Sequence, residues 1–142
     1  MRIKVKKLHP DAKLPTQSHP GDAGFDLYAI DDGTNTRYGY REYGTALAFE
    51  IPEGYVGLVY PRSSISERGM MLYNSTGVID SGYRGEVTVR FRLLDGEHTK
   101  YYRRGDRIAQ LVVQLIPEIT IEEVQDLSAS SRGSGGYGST GL

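Results

Sequence analysis

The sequence predicts an all-β fold, and three observations carry that expectation. Short apolar runs bounded by glycine, proline or aspartate recur along the whole 142-residue chain. One of them, Val87-Thr88-Val89-Arg90-Phe91-Arg92-Leu93, alternates with period two, setting Val87, Val89, Phe91 and Leu93 on one face and Thr88, Arg90 and Arg92 on the other. No long amphipathic helical pattern separates the runs, so short connections and antiparallel packing follow. The pattern leaves sandwich and barrel equally open.

Strands are expected at 3–6, 25–29, 46–51, 55–60, 86–94, 101–102, 107–116 and 119–124. Asp32-Gly33, Pro52-Glu53-Gly54, Asp95-Gly96 and Arg104-Gly105-Asp106 supply turns between them. Two segments depart from the rhythm. Residues 33–44 are polar and carry Tyr38, Tyr40 and Tyr43, which predicts an exposed loop or hairpin. Residues 128–142 are rich in glycine and serine and too poor in apolar groups to order alone. The expected division is a β domain over 1–127 and a flexible arm over 128–142.

A chain of this length fits one domain that buries roughly 70% of its unfolded surface. The formal net charge of -1 supplies no general field for a nucleic-acid polymer or an anionic membrane, so neither is an expected partner. Affinity for phosphate must come from locally placed arginines, and the ligand should be small. The absence of cysteine excludes disulfides and thiolate chemistry and fits a reducing compartment. His9, His19 and His98 lack the spacing of a metal site. A soluble, cytoplasmic protein is expected, since no segment reads as a membrane span.

Five segments carry chemistry. Asp80 stands at the apex of residues 74–86, where Val78 and Ile79 favour a strand and Gly77, Gly82 and Gly85 permit tight turns or close approach of a ligand to bare backbone. This describes a hairpin around a pocket. Taken singly, Asp80-Ser81-Gly82 is also ordinary turn chemistry, and Asp26 in Gly24-Phe25-Asp26-Leu27-Tyr28 is a polar strand end. Pro61-Arg62-Ser63-Ser64 offers a guanidinium fork and hydroxyls to phosphate oxygens, or else caps a helical turn. Arg104-Gly105-Asp106-Arg107-Ile108-Ala109-Gln110 is a turn feeding a buried strand, with Asp106 and Arg107 read as a structural ion pair. Arg132-Gly133-Ser134-Gly135-Gly136-Tyr137-Gly138-Ser139-Thr140 has no GK[ST] and is not a Walker loop.

In this order, over about residues 18–141, the segments resemble the five motifs of the homotrimeric dUTPases. The resemblance implies a distorted jelly-roll barrel of short, mostly antiparallel strands and a Mg2+-dependent hydrolysis of dUTP to dUMP and pyrophosphate. By it, Asp26 contacts water on a magnesium ion carried by the triphosphate, while Arg62, Ser63, Ser64 and Gln110 hold the phosphates. Asn74 and the backbone of Gly77, Val78 and Ile79 match the pairing edge of uracil, and Tyr83 stacks on the deoxyribose. Asp80 orients the attacking water. Arg132, Gly136, Tyr137, Gly138, Ser139 and Thr140 belong to an arm that closes over the nucleotide, and each site is shared among three chains. Ser64 and Ser66 replace the commoner Gly and Ala of the second motif, and Gly82 stands where many relatives carry Asp.

Two other readings compete with this one. The related trimeric dCTP deaminases share the Ile-Asp-x-Gly-aromatic segment, but their catalytic glutamate aligns with Arg90, and a guanidinium cannot serve as acid and base. An RNA or single-strand-binding protein is suggested by Arg-Gly-Ser-Gly-Gly-Tyr-Gly, which occurs once here on a nearly neutral chain.

Overall fold

A computed structural model describes residues 1–94 and 99–136. The turn signal Asp95-Gly96, His98 and the arm residues Tyr137, Gly138, Ser139 and Thr140 lie outside the described residues.

The described residues fold as ten strands with one short 3-10 helix: β1 Lys4–Lys7, β2 Phe25–Tyr28, β3 Thr34–Asn35, β4 Tyr40–Gly44, β5 Leu47–Glu50, β6 Tyr55–Tyr60, the 3-10 helix Ser63–Glu67, β7 Met70–Leu72, β8 Gly77–Ile79, β9 Thr88–Leu93 and β10 Arg107–Leu115. Three sheets form, ordered β1-β5, β2-β10-β6-β8 and β3-β4-β9-β7. Every pairing is antiparallel. The expected all-β, jelly-roll class holds.

One core lies between the sheets. Val87, Val89 and Phe91 of the alternating segment are buried, whereas Thr88, Arg90 and Arg92 face outward, as period two requires. Leu27, Leu47, Ile51, Ile108 and Leu111 complete the apolar interior. Tyr43, Phe91 and Tyr102 form an aromatic cluster with ring centroids 5.3–5.9 Å apart. Burial raises the pKa of both tyrosines in this cluster.

Three expectations need correction. Residues 33–44 form a hairpin, but its second arm, β4, is a full sheet member and Tyr43 is completely buried. Its hydroxyl is satisfied by Arg41 Nε at 3.0 Å and the Tyr102 N–H at 3.2 Å. Residues 101–102 are not a strand, because the Tyr102 N–H is spent on that hydroxyl and the Tyr101 carbonyl on Arg68. Residues 119–124 pair with no strand among the described residues and leave Ile119 and Ile121 exposed.

Candidate functional site

Strand register explains why distant segments meet. On β10, Gln110 sits opposite Asp26 of β2 on one side and opposite Tyr60 of β6 on the other. Opposite residues of an antiparallel ladder share a face, and Arg62 follows Tyr60 by two residues. Asp26, Arg62 and Gln110 are therefore delivered to one place by three strands.

The result is a cleft of about 290 Å³ whose walls include Asp22, Gly24, Asp26, Arg62, Ser63 and Gln110. Asp26 is nearly buried and bridges two guanidinium groups: Arg62 Nε lies 2.7 Å from Oδ1, and Arg107 Nη1 lies 3.3 Å from Oδ2. Gln110 Nε2 donates to the Pro61 carbonyl at 3.0 Å, fixing the strand end that presents Arg62. Gly24 makes room for this side chain, since a Cβ there would lie 2.3 Å from Gln110 Oε1. Ser63 is exposed at the first position of the 3-10 helix, and Ser64 is half-buried beside it. Arg62 and Arg107 balance the carboxylates of Asp26 and Asp22, so what suits this cleft to a phosphate chain is its oriented guanidinium and hydroxyl donors and not a net charge.

Arg107 was missed as a site residue. Its expected pairing with Asp106 does not form: a bulge between Arg107 and Ala109 sets Arg107 opposite Tyr28, on the face of β2 that carries Asp26, while Asp106 accepts the Arg103 N–H at 2.9 Å.

The Asp80 segment is built separately. Gly77, Val78 and Ile79 pair with Val59, Leu58 and Gly57 of β6. Beyond them the chain turns, with the Asp80 carbonyl accepting the Tyr83 N–H at 3.0 Å. The turn is braced by Arg84, whose Nη1 donates to the carbonyls of Ser81 at 2.6 Å and Tyr83 at 2.9 Å. Residues 74–86 do not pair as a hairpin, because β8 belongs to one sheet and β9 to the other. Asp80 opens a β-turn, as Asp80-Ser81-Gly82 predicts, and is exposed.

Val78, Ile79, Asp80, Tyr83 and Glu86 line a second cleft of about 210 Å³. The Tyr83 hydroxyl donates to the Glu86 carbonyl at 3.0 Å, and a Cβ on Gly85 would lie 2.6 Å from Tyr83 Cζ, so only glycine leaves the ring where it is. Asn74 is exposed just before Ser75, which adopts φ 61°.

These half-sites stand at opposite ends of β6. The register that pairs Gly57 with Ile79 brings Asp80 alongside Val56, five residues from Pro61, or about 16 Å of strand. Within one chain Asp80 and Arg62 do not meet. Arg132 is also absent from the cleft; its Nε donates to the Gly135 carbonyl at 3.0 Å in an exposed local turn, and Gly136 is exposed beyond it.

Among the described residues no group of three or more His, Asp or Glu could hold a metal ion. Asp26 flanked by arginines, even with Asp22 in the same wall, does not make an inner coordination shell. It does fit an ion that arrives on phosphate oxygens and keeps its own waters. No helix among the described residues is long and apolar enough to cross a membrane.

The chain is similar to known proteins over nearly its whole length. The sequence profile of the dUTPase family matches residues 10–141. A deoxyuridine 5'-triphosphate nucleotidohydrolase of Rhodococcus erythropolis is 46% identical over 143 residues, covering 99% of this chain and 87% of the relative. The dUTPase of Staphylococcus bacteriophage 80alpha, solved with dUpNHpp, superposes with a TM-score of 0.78 at 28% identity and covers 99% of both chains. A mutant dUTPase from phage phi11 of S. aureus, whose structure concerns the coordination of a structural Mg(II) ion, gives a TM-score of 0.70 at 25% identity over 89% of this chain and 98% of that one.

Proposed function

We propose, from the premise that the chain belongs to the dUTPase family, that it hydrolyses dUTP to dUMP and pyrophosphate. The observation that carries this reading is the convergence of Asp26, Arg62, Ser63 and Gln110 on one cleft from three separate segments of the chain.

In this reading Arg62, Ser63, Ser64 and Gln110 hold the triphosphate, and Arg107 joins them once phosphate oxygens compete with Asp26 for its guanidinium. The exposed Asp80 carboxylate accepts a hydrogen bond from water and aligns it with the α-phosphorus. A new P–O bond forms, the Pα–O–Pβ bond breaks, and pyrophosphate leaves. The water's proton passes to Asp80 and on to solvent. A carboxylate is a weak base, so its main contribution is positioning while the arginines absorb developing charge. Asp26 would hold a phosphate-borne magnesium ion through its waters, and the ion would supply further charge neutralisation.

Asn74 and the backbone of Gly77, Val78 and Ile79 read uracil, and the Tyr83 ring packs on the deoxyribose and crowds a 2'-hydroxyl. The arm beginning at 128 closes the site with Arg132, Gly136, Tyr137, Gly138, Ser139 and Thr140 and excludes water. The distance between the half-sites supports sites shared between chains, which in this reading form a homotrimer. The exposed Ile119, Ile121 and Leu127 support it, since an apolar segment with no partner in its own chain suits a neighbouring one. Nothing favours deamination: Arg90, on the outer face of β9, pairs with Glu42.

The test is product analysis with magnesium and dUTP, dCTP, dTTP or UTP in separate reactions. Conversion of dUTP alone to dUMP is expected. Release of ammonia from dCTP, or inertness toward dUTP, would overturn the reading.

A further inference from the structure

Arg68 does not line the phosphate cleft. It ends the 3-10 helix that follows Arg62, and its N–H donates to the Ile65 carbonyl at 3.0 Å. Its side chain is 26% exposed and runs under the helix to the segment 100–106 that leads into β10. There Nη1 donates to the Tyr101 carbonyl at 3.3 Å and the Lys100 carbonyl at 3.4 Å, and lies 3.9 Å from Asp106 Oδ2. The guanidinium carbon stands 4.1 Å from the centroid of the buried Tyr102 ring. A backbone bond returns the contact, from the Lys100 N–H to the Arg68 carbonyl at 3.0 Å.

Asp106 carries the tie to the third wall. Its carbonyl accepts the Ala29 N–H at 2.9 Å, just past the end of β2, while its carboxylate faces Arg68 and the Arg103 N–H. Arg68, Asp106 and Ala29 are thus joined at one node, and each lies within six residues of a cleft group: Arg62, Gln110 and Asp26 respectively.

We infer that Arg68 is a positioning residue for the phosphate grip, clasping the Arg62 helix to the start of β10 and so setting the separation of the cleft walls. The inference rests on the nucleotide reading above. The geometry asks for arginine. One planar group stacks on an aromatic face while its N–H edge meets two carbonyls and a carboxylate, and an ammonium cannot do both. No single contact here is strong, but together they fix the C-terminal end of a five-residue helix. A displacement of about 1 Å in groups that orient a reacting phosphate lowers rates by up to about 100-fold.

The experiment compares the unmodified protein with Arg68→Gln and Arg68→Lys, measuring dUTP turnover and calorimetric binding of α,β-imido-dUTP and of dUMP well below each variant's Tm. The expected result for Arg68→Gln is about tenfold weaker binding of the triphosphate analogue, less than twofold change for dUMP, and a matching rise in KM. Arg68→Lys restores the charge but not the stack, so it recovers only part of the loss. A lower Tm with unchanged analogue affinity in both variants overturns the inference and leaves Arg68 as a strut for folding. The unmodified protein separates the two levels: failure to turn over dUTP there overturns the function, whereas normal turnover there with unaffected variants overturns the clasp alone. Should Arg68→Gln not fold, Arg68→Lys together with Tyr102→Leu, which removes the stacking face, decides between the same outcomes.

Discussion

Replacing Asp26 by Asn removes the one charge that holds Arg62 and Arg107 together. The side chains of Asp26, Arg62 and Arg107 are 10%, 24% and 47% exposed, so the carboxylate is the buried member and the two cations are progressively wetter. Breaking a fully buried pair costs about 3–5 kcal/mol, because an unpaired charge remains in a poor solvent. An exposed pair is worth at most about 1 kcal/mol. Asn retains an acceptor for Arg62 Nε, and Arg107 can turn into water. The expected loss is therefore about 2 kcal/mol, equivalent to a Tm lower by about 4–8 °C in a domain of this size. Urea titration at neutral pH measures it. Inorganic phosphate adds a second readout, since the freed guanidiniums have lost their carboxylate and gained affinity for anions. It should stabilise Asp26→Asn more than the parent. A loss below about 0.5 kcal/mol together with equal phosphate effects would refute the claim that Asp26 organises the cleft.

Other perturbations have equally definite signs. Ala46 is held at φ 51°, where its N–H donates to Glu86 Oε1 at 2.7 Å, so Ala46→Gly should relieve left-handed strain and raise stability by about 0.5–1 kcal/mol, read by urea midpoint. The buried Tyr43 and Tyr102 have folded-state pKa values raised above 10, so the unfolded chain ionises first as pH climbs. Stability is full below about pH 10 and falls above it, and Tyr102→Phe should flatten that alkaline limb in thermal melts. The same substitution should not lower stability at neutral pH, because the Tyr102 hydroxyl is buried without a partner. Gly85→Ala drives a methyl into the Tyr83 ring, so discrimination of dUTP against UTP should fall by about tenfold in kcat/KM, with modest change in Tm.

The alternation of residues 87–93 was legible because a strand with one buried face has no other way to arrange its side chains. Tyr43 was not, because its neighbours Arg41 and Glu42 read as a surface. What buries it is the space left by Gly33, where a Cβ would lie 2.7 Å from Tyr43 Cζ, and a hydroxyl satisfied by contacts with residues 41 and 102. The apolar run 119–124 was read as a strand for a sound local reason, yet a strand needs a partner, and this segment pairs with none among the described residues. At the site, residue types and order pointed to Asp26, Arg62, Ser63 and Gln110. The partner of Arg107 was illegible, since it depends on which face of β10 the side chain takes and on which strand lies alongside. The same holds for Arg68, whose contacts lie 32 to 38 positions away in the sequence.

The distance along β6 turns the shared site into an arithmetic prediction. If the phosphate grip of one chain works with the Asp80 turn of another, two inactive variants can rescue each other. Arg62→Ala lacks the grip and Asp80→Asn lacks the water-orienting carboxylate, so each alone should be nearly inert. Asp80 is exposed and takes part in no ion pair among the described residues, so its substitution should leave Tm unchanged. Mixed in equal amounts, dissociated and reassembled at random, half the grips and half the turns are intact. A site drawing one from each of two independent chains is then complete about a quarter of the time. Recovery near a quarter of the parent rate is expected after reassembly, and none if the variants are mixed without exchange. If each chain completed its own site, no mixture would regain activity, because every chain would carry one broken half. The outcome depends on geometry already visible in one chain, where β6 presents Arg62 past one end and holds β8, and with it Asp80, at the other.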